Sequence, residues 1–441
     1  MLAVSTITKS PDRSRLSRAQ QMRKAVLLTF CDGTMPENSC LRNLSDRHWK
    51  KLLHWLDTSG LALYFFDRLR ELKKIDLLPK TVHARLEQNF ADNTKRTQGM
   101  LAELDVIQRE LQRTEVRYAV LKGFSLWPHS VPHPSMRSQL DIDFLIADSG
   151  IERAVRVLEE RGYHLFAKSG NSWEFKIGQM REASLKTLYK PVRYGCVELH
   201  VAADRRRTAM LARTQTIKYD SVPMPVLASA DLFLGQGLHV FKHICSESSR
   251  ASHLLEFWRH VIARRSDAAF WRDLRVAAEP YPRASIEIGV VLLIATQLMG
   301  EFVPEALTCW TVDTLPSYAR LWAELYGRRA VLGGSHGSKL YLLLQRELAA
   351  DGAPASRTVA QVLVPWSLPK LMTYNPGPEL LADRLGRYRI KLQVLYYRLH
   401  FHVLEDVRYL FHAARWRSHM ARLGRPQAQR LLARNKGMTI R

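Results

Sequence analysis

Two aspartates, Asp141 and Asp143, stand two residues apart in the otherwise apolar segment RSQLDIDFLI. If this segment is a strand, the two carboxylates project from one face, and Leu140, Ile142 and Phe144 face a core on the other. Neighbouring carboxylates repel each other unless a cation lies between them. Mg²⁺ binds one or two carboxylates together with phosphate oxygens and water. The segment therefore predicts a site for a divalent cation and a phosphate ester.

The segment CVELHVA repeats this pattern, with Glu198 and His200 on one face and apolar residues on the other. If this second strand lies beside the first, Glu198 brings a third carboxylate to the aspartate pair. Three carboxylates are typical of sites in which two metal ions assist phosphoryl transfer. We therefore expect Asp141, Asp143 and Glu198 to be both the metal ligands and the catalytic residues.

A third segment, LKG, contains Lys122 and Gly123. A strand that ends in glycine lets backbone N–H groups approach a phosphate closely, and the lysine offers a positive charge at the same place. Arg137 precedes the aspartate pair by four residues and can neutralise a further phosphate oxygen. These residues predict a phosphate-binding turn beside the metal site.

The elements that position these residues form a small α/β unit over residues 116–226. Strand-like runs occur at VRYAVLKG, LDIDFLIA, SLKTLYKP, CVELHVAA and QTIKYDSV. The segment SGIERAVRVLEERGYH predicts a helix that is capped by Ser149 and ends at Gly162. We expect a mixed sheet with the acidic residues on adjacent strands.

The rest of the chain is predominantly helical in pattern. We divide it into a basic flexible lead-in at 1–35, a helical segment at 36–115 and a helical domain at 227–380, which follows the core at 116–226. A basic, aromatic-rich helical tail at 381–441 closes the chain.

The composition is that of a globular protein, with 46% hydrophobic residues in a chain of 441. The five cysteines are scattered and form no CxxC pair, which favours reduced thiols over a disulfide framework. No apolar run reaches the about 18 residues that a transmembrane helix needs. The basic N-terminus lacks the pattern of a secretory signal. The sequence predicts a cytoplasmic protein, with the inner membrane surface as an alternative site of peripheral binding.

The net charge of +24 is concentrated at the C-terminus. Residues 384–441 contain fourteen lysines or arginines and two acidic residues, so their net charge is +12. Such a segment attracts polyanions, and both an anionic membrane surface and a nucleic acid remain open as its partner. A helix that packs on the domain with a basic outer face is a third interpretation.

Two further segments look like ligand sites. His239 and His243 are one helical turn apart with Cys245 nearby, but the sequence shows no second pair with zinc-ligand spacing, which favours a structural or substrate-facing role. The segment LGGSHGSK at 332–339 resembles a phosphate-binding loop but lacks the GKS or GKT ending, which predicts a turn between helices.

Taken in order, LKG, R-x-x-x-D-I-D and V-E-L-H resemble the motifs of an uncharacterised bacterial nucleotidyltransferase family of the polymerase-β superfold. The Leu-His-x-x-Lys-His run at 238–243 and the LLEFW segment at 254–258 agree with this family. The resemblance covers roughly residues 40–310. It implies an α+β fold in which a polymerase-β-like nucleotidyltransferase core with a small mixed sheet is flanked by helical N- and C-terminal segments.

The resemblance also implies a role for each candidate residue. Mg²⁺ or Mn²⁺ would bind the three acids, and ATP or another NTP would contact a second set of residues. That second set comprises Lys122, Gly123, Arg137 and His200. The wider superfamily has glycine followed by glycine or serine at the phosphate-binding turn, whereas this chain has Lys122 before Gly123 and Phe124 after it.

The implied reaction is transfer of a nucleotidyl group from the NTP to an unidentified hydroxyl or phosphate acceptor. The acceptor could be a small molecule, a polysaccharide precursor, a protein or an RNA, because a fold alone does not set the substrate. Two alternatives stay open. One is a kinase-like or protein-nucleotidylating enzyme that uses the same site, and the other is a catalytically silent module that binds nucleic acid or membrane.

Overall fold

Helices surround a seven-stranded sheet in the computed structural model of the chain. The structure describes residues 16–31, 40–42, 44–177, 185, 187–191, 195–246, 250–333, 337–350, 358–364 and 381–436. The strands are β1 (Tyr118–Leu121), β2 (Ile142–Ala147), β3 (His164–Ser169), β4 (Ser172–Lys176), β5 (Cys196–Ala202), β6 (Thr214–Tyr219) and β7 (Val222–Leu227).

The helices before and within the sheet region are α1 (Arg18–Leu28), α2 (Asp46–Ser59), α3 (Ala62–Glu71), α4 (Lys80–Arg113), α5 (Ile151–Glu160) and α6 (Arg205–Ala212). Those after it are α7 (Ser229–Ile244), α8 (Ala251–Ala263), α9 (Ala268–Ala278), α10 (Ala284–Met299), α11 (Glu305–Thr308), α12 (Ser317–Trp322), α13 (Arg328–Leu332), α14 (Tyr341–Ala350), α15 (Val359–Leu363) and α16 (Leu381–Lys436). A π-helical turn at Ala323–Gly327 joins α12 to α13.

The sheet has the strand order β3-β4-β5-β2-β1-β7-β6. Strand β2 is parallel to β5 and β1 is parallel to β7, whereas the other neighbours are antiparallel. The mixed sheet flanked by helices confirms the expected α+β class.

The two faces of the sheet are packed differently. Phe144 and Leu199 contribute to a core with Leu104 and Ile107 of α4. The alternate residues face a smaller apolar cluster that includes Leu145 and is covered in part by α6. Because side chains alternate along a strand, Asp143 lies on the same face as Leu145, where the apolar cover is incomplete.

The helices before the sheet share one core with most of those after it. Leu27, Tyr64 and Phe65 of α1 and α3 pack in the same cluster as Phe233 of α7 and Trp322 of α12. The expected flexible lead-in over residues 1–35 is therefore wrong for Arg18–Leu28, because these residues form α1 and bury one side of it. Residues 1–15 lie outside the described part of the chain.

Three local predictions are wrong. Leu140 does not face a core, because it precedes β2 and 39% of it is exposed. Helix α5 begins after Gly150, without a side-chain cap, rather than after Ser149. The segment SLKTLYKP is not a strand in its described part, where residues 187–190 form turns and bends.

The loop LGGSHGSK holds the last helix in place. Lys339 is fully buried, and its Nζ lies 2.5 Å from Asp406 Oδ1 on α16, while Ser338 Oγ donates to Glu405 Oε2 at 2.9 Å. These contacts agree with a structural turn between α13 and α14, although residues 334–336 lie outside the described part.

Helix α16 contacts the body through one side and exposes another. Tyr409 and Trp416 are buried. The exposed apolar side chains on the same helix include Leu385, Tyr388, Leu392, Leu395, Leu399, Val403, Val407 and Leu410. Among the described helices, none combines the length and the apolar character needed to cross a bilayer. Residues 365–380, which precede α16 and contain four prolines, lie outside the described part of the chain.

Candidate functional site

Asp143, Glu198 and His200 meet on one face of the sheet. Asp143 pairs with Glu198 in the parallel ladder between β2 and β5, so their side chains lie next to each other. His200 follows two residues later on β5, on the same face. One ligand atom from each of the three residues lies within 4.8 Å of the others.

Lys122 places its ammonium group between the two carboxylates. Its Nζ lies 2.6 Å from Asp143 Oδ1 and 3.4 Å from Glu198 Oε2. His200 Nε2 approaches the same oxygens, at 2.9 Å and 3.4 Å. The Asp143 side chain is only 3% exposed, whereas that of Lys122 is 35% exposed. The cluster therefore has an accessible side at Lys122 and a buried side at Asp143.

The backbone turns sharply where β1 ends. Lys122 has φ of 48° and Gly123 has φ of 39°. Residues other than glycine rarely adopt such positive φ angles, because the Cβ atom clashes with the backbone. A Cβ atom at Gly123 would collide with the side chain of Gln139, so packing requires glycine there. Strained backbone at a non-glycine residue costs on the order of 1–3 kcal/mol and is frequent at ligand-binding turns. The turn directs Lys122 towards the carboxylates.

Helix α4 fixes the loop that leads into β2. Asn93 is fully buried, and its Nδ2 donates to the carbonyl oxygens of Ser135 and Arg137 at 2.6 and 3.2 Å. The loop then places Asp141 just before the first residue of β2. Asp141 is partly buried and lies outside the cluster of three.

The carboxyl groups at this site have opposite pKa shifts. Hydrogen bonding from His200 is the main reason why the pKa of Glu198 lies well below its usual value. Burial, followed by repulsion from Asp143, raises the pKa of Asp141 to about 6. Burial is the main cause of this shift, and the repulsion from Asp143 and Glu198 is opposed by the attraction of Lys122 and Arg137.

The two cationic groups are held in their charged forms. Burial lowers the pKa of Lys122, but the combined attraction of Asp143, Glu198 and Asp141 outweighs it, so the pKa lies above its usual value. The same balance holds for His200, where burial is outweighed by hydrogen bonds to Asp143 and Glu198. Positive charge is thus favoured at the point where the carboxylates converge.

The sequence analysis missed Ser172, which completes the contacts of Glu198. Its hydroxyl donates to Glu198 Oε1, while Lys122 and His200 approach Oε2. Ser172 is the first residue of β4, in a β3–β4 hairpin that was not predicted. A signal was present, because Gly170 and Asn171 form a two-residue connection of the kind that links hairpin strands.

Arg137 forms its ion pair with Glu256 rather than with a carboxylate of the cluster. Its Nε donates to Glu256 Oε1 at 3.2 Å, and Tyr64 donates to the same oxygen at 2.9 Å. Glu256 is buried, so this ion pair is largely removed from solvent. Arg137 joins α8 to the loop before β2, and its function as a phosphate ligand stays a prediction.

A cavity of about 210 Å³ opens beside Lys122 and Arg137. Its walls are largely apolar, with polar groups from β1, α7 and α8, including Gln236, His239 and Glu256. The cavity provides space for a substrate group next to the cationic side of the cluster.

Gln139 is a second residue that the sequence analysis missed. It is 3% exposed, and its Nε2 has no hydrogen-bond partner in the described part of the chain. The carboxamide contacts the turn at Gly123. A buried donor without a partner at this turn fits an anionic ligand that supplies the missing acceptor.

The donor set fits a hard divalent cation. Asp143 and Glu198 present oxygen atoms side by side, and repulsion from Asp143 adds to the effect of burial in raising the pKa of Asp141. A divalent cation would relieve the repulsion among these groups, and oxygen ligands are those that Mg²⁺ and Mn²⁺ prefer. Such an ion and the Lys122 ammonium would compete for the same oxygens.

Comparisons with known proteins agree with the family resemblance. The model of a family described as "Uncharacterised nucleotidyltransferase" matches residues 45–300, more than half of the chain. None of the curated proteins matches the chain. Among solved structures, an antigenic nucleotidyltransferase-like protein from Paracoccidioides brasiliensis is similar, with 13% sequence identity and a TM-score of 0.27. That match covers 43% of this chain and 91% of the other, and at this TM-score it does not bear on fold or function.

The family match includes β1, β2 and β5, which position Lys122, Asp143 and Glu198. It confirms the resemblance that the LKG, DID and VELH motifs indicated. The chain belongs to this nucleotidyltransferase family.

Proposed function

We propose that the protein is a metal-dependent nucleotidyltransferase with ATP as the donor and a hydroxyl or phosphate group as the acceptor. The observation that carries this proposal is the register of β2 and β5, which sets Asp143 beside Glu198. In the reaction, the acceptor oxygen bonds to the α-phosphorus and the bond to the bridging oxygen breaks. Pyrophosphate leaves, and the proton of the acceptor passes to solvent or to a neighbouring base.

Asp141, Asp143 and Glu198 would hold Mg²⁺ or Mn²⁺. The bound metal supplies a Lewis acid that neutralises charge on the triphosphate and favours deprotonation of the acceptor. His200 and Ser172 keep Glu198 ionised and fix the direction of its oxygens. These residues act by positioning and electrostatics, which carry most of the catalysis in phosphoryl transfer.

Lys122 has a second task once a metal is bound. Its ammonium contacts Asp143 Oδ1 and Glu198 Oε2, which are also available to a metal. A cation held by these oxygens would displace the lysine, which would then be available to neutralise a phosphate oxygen of the nucleotide. The Nε2 of Gln139, beside the turn at Gly123, would supply a further donor, as would Arg137, which lines the cavity beside Lys122.

The test is a nucleotide-turnover assay with α-labelled ATP and Mg²⁺ or Mn²⁺, run against acceptors of each class. We expect wild-type protein to release pyrophosphate and label an acceptor, and Asp143→Asn to lose at least about 10²-fold in activity. The matched control is Asp148→Asn, because Asp148 lies exposed just beyond the other end of β2. If Asp143→Asn turns over as fast as the control, the proposal is wrong.

Product analysis separates this function from the alternatives. Release of ADP instead of pyrophosphate would indicate a kinase-like reaction. Label that stays on a protein acceptor would indicate protein nucleotidylation. A thermal shift with ATP and Mg²⁺ tests the silent-module alternative, since a catalytically silent module would show no metal-dependent nucleotide effect.

A second role, peripheral binding to an anionic membrane surface, is favoured by α16. Apolar residues at spacings of three or four, namely Leu385, Tyr388, Leu392, Leu395 and Leu399, are exposed along a segment whose net charge is strongly positive. A helix that binds at a membrane surface needs both an apolar face and basic residues, whereas binding to a nucleic acid needs only the basic residues.

Vesicle co-sedimentation tests this role. We expect binding to vesicles that contain phosphatidylglycerol, weaker binding to phosphatidylcholine vesicles, and loss of binding in Leu392→Asp/Leu399→Asp. Leu165→Asp is the matched control, because Leu165 is also exposed but lies on β3. Equal binding by both variants, or salt-sensitive RNA binding in place of vesicle binding, would contradict the membrane role.

A further inference from the structure

Three histidines converge outside the acidic cluster. His239 and His243 lie one turn apart on α7, and His253 lies in the first turn of α8. Their ring centroids are separated by 4.4 Å for His239–His243, 5.2 Å for His239–His253 and 4.7 Å for His243–His253. One ring nitrogen from each residue lies within 4.8 Å of the others.

This geometry is close to that of a tetrahedral metal centre. Zinc–imidazole bonds of about 2.0–2.1 Å bring ring nitrogens to about 3.4 Å from each other. The required approach is small, because one nitrogen from each ring already lies within 4.8 Å of the others and the rings belong to two packed helices. The i, i+4 pair on α7 supplies the common two-histidine half of such a site.

Burial disfavours the protonated forms of two of the three side chains, His239 and His253, and so favours their binding to a metal ion. Burial is the main reason why the pKa of His239 falls to about 3 and that of His253 falls well below its usual value. Both rings are therefore neutral near pH 7, with a lone pair available to a metal. The adjacent Cys245 is different, because burial raises the pKa of its thiol and it lies outside the cluster.

Hydrogen bonding does not account for the buried member of the cluster. His253 is 7% exposed, and its Nδ1 has no hydrogen-bond partner in the described part of the chain. Buried polar atoms without partners are rare in folded proteins and often mark a ligand site. A metal ion between the three rings would account for this atom.

The positive groups near the histidines that oppose a cation include Lys122, Arg137, Lys242 and Arg250, and the first two are paired with acids. Arg137 donates to Glu256, and Lys122 contacts Asp143. Coordination bonds form at short range, whereas these ionic groups act over a longer distance. The local charge therefore weakens the site without excluding it.

His239 and His253 also line the cavity of about 210 Å³ that opens beside Lys122. A metal held by three histidines keeps a fourth coordination position, and only an open site has that position available to water or a ligand. Because His239 and His253 lie in the cavity wall, the cavity is the space from which a fourth ligand would reach a metal held there.

We propose that His239, His243 and His253 form a binding site for Zn²⁺ or a similar transition-metal ion, with the fourth position open to the cavity. This site is separate from the acidic cluster and selects a different class of metal, since imidazole ligands favour Zn²⁺ over Mg²⁺. It does not depend on the proposed nucleotidyl transfer.

The test measures Zn²⁺ affinity of the untagged, metal-stripped full chain by competition with a chromophoric chelator, without nucleotide. We expect one tightly bound Zn²⁺ per chain and a loss of at least about 10²-fold in affinity for His239→Gln and His253→Gln. His164→Gln is the control, because His164 is exposed on β3. Should His253→Gln fail to fold, His243→Gln carries the same expectation from a less buried position.

Two further measurements identify the ligands. Co²⁺ bound at this site should show the visible absorption of a four-coordinate centre, and His239→Gln should abolish it. Asp143→Asn should keep the Zn²⁺ affinity of the wild type. The inference is overturned if the histidine variants bind Zn²⁺ as tightly as the wild type. It is also overturned if Asp143→Asn loses Zn²⁺ binding while the histidine variants keep it.

Discussion

The acidic cluster and the histidine cluster are built by different kinds of secondary structure. Asp143, Glu198 and His200 come from two neighbouring strands, whose register sets their side chains side by side. His239 and His253 come from two helices, so their approach depends on how α7 packs against α8. A ladder of hydrogen bonds fixes the first arrangement locally, whereas tertiary packing fixes the second.

The two clusters also differ in the cation that they suit. The acidic cluster offers hard oxygen donors beside a fixed ammonium, and the histidine cluster offers neutral nitrogen donors in a mostly apolar setting. Lys122 links them, because it contacts Asp143 and also lines the cavity that His239 borders. Because the two clusters suit different metal ions, a substitution in one cluster can be tested while metal binding at the other serves as the control.

The largest expected effect is that of Glu198→Gln on turnover. The substitution keeps the shape but removes the charge that pairs with a metal, so we expect activity to fall by at least about 10²-fold. Zn²⁺ affinity should stay unchanged, because Glu198 is not a member of the histidine cluster. The measurements are pyrophosphate release and chelator competition on the same samples.

Glu152→Gln is the control for this prediction, since Glu152 is exposed on α5. Turnover that is equal in the two variants would remove Glu198 from the proposed site. Loss of Zn²⁺ binding in Glu198→Gln would show that the two clusters do not act separately.

A smaller and mixed effect is expected for Lys122→Met. Without the ammonium, the carboxylates of Asp143 and Glu198 are free for a metal, so Mn²⁺ should bind more tightly in the absence of nucleotide. Turnover should nevertheless fall by about 10–100-fold, because the same lysine neutralises the triphosphate in the proposed reaction.

Calorimetry with Mn²⁺ and steady-state kinetics give the two measurements, and Lys218→Met on the exposed side of β6 is the control. Weaker Mn²⁺ binding in Lys122→Met would contradict the competition between lysine and metal. An unchanged KM for ATP together with an unchanged kcat would remove Lys122 from the phosphate-binding role.

The metal affinities of the two clusters should depend on pH in the opposite order to that expected for aspartate and histidine with their ordinary pKa values. The pKa of Asp141 is raised from 3.8 to about 6, and that of His239 is lowered from 6.5 to about 3. As the pH falls from 7 to 5, Asp141 takes up a proton and the acidic site should lose Mn²⁺ affinity. Zn²⁺ affinity should change less over this range, because His239 stays neutral.

Folding stability follows the same sign for Asp141. Because the folded protein binds this proton more tightly than the unfolded chain, Asp141 destabilises the metal-free protein above pH 6 and does so less below it. Asp141→Asn should therefore weaken the pH dependence of Mn²⁺ binding between pH 5 and 7. If the Zn²⁺ affinity falls more steeply than the Mn²⁺ affinity between pH 7 and pH 5, this prediction is wrong.

The difference between the clusters also explains which one the sequence could predict. The period of two in LDIDFLIA and CVELHVA is a local signal, and it correctly set Asp143 and Glu198 on one face of a mixed sheet. The sequence did not show that Lys122 would lie between the carboxylates, because that depends on the left-handed turn after β1. Nor did it predict the partner of Arg137, since Glu256 is far away along the chain.

The histidine cluster could be predicted only in part. The spacing of His239 and His243 gave two ligands, but His253 reaches them through the packing of a second helix, which has no sequence period. The strand predicted at SLKTLYKP was wrong, because residues 187–190 form turns and bends and Tyr189 is buried without being part of a strand. Leu140 was misplaced for a related reason, since the strand begins only at Ile142.

The smallest expected effect is that of Ser172→Ala, which changes the support of Glu198 but leaves every proposed metal ligand in place. Glu198 keeps His200 and Lys122 as partners of its other oxygen, so we expect turnover to fall less than in Glu198→Gln, by about tenfold or less, and stability to change by about 1 kcal/mol. Ser169→Ala, at the other side of the hairpin turn, is the control. A loss as large as that of Glu198→Gln would mean that the serine, which sequence reasoning missed, is itself part of the metal or nucleotide site, and the strand register alone would no longer account for the acidic cluster.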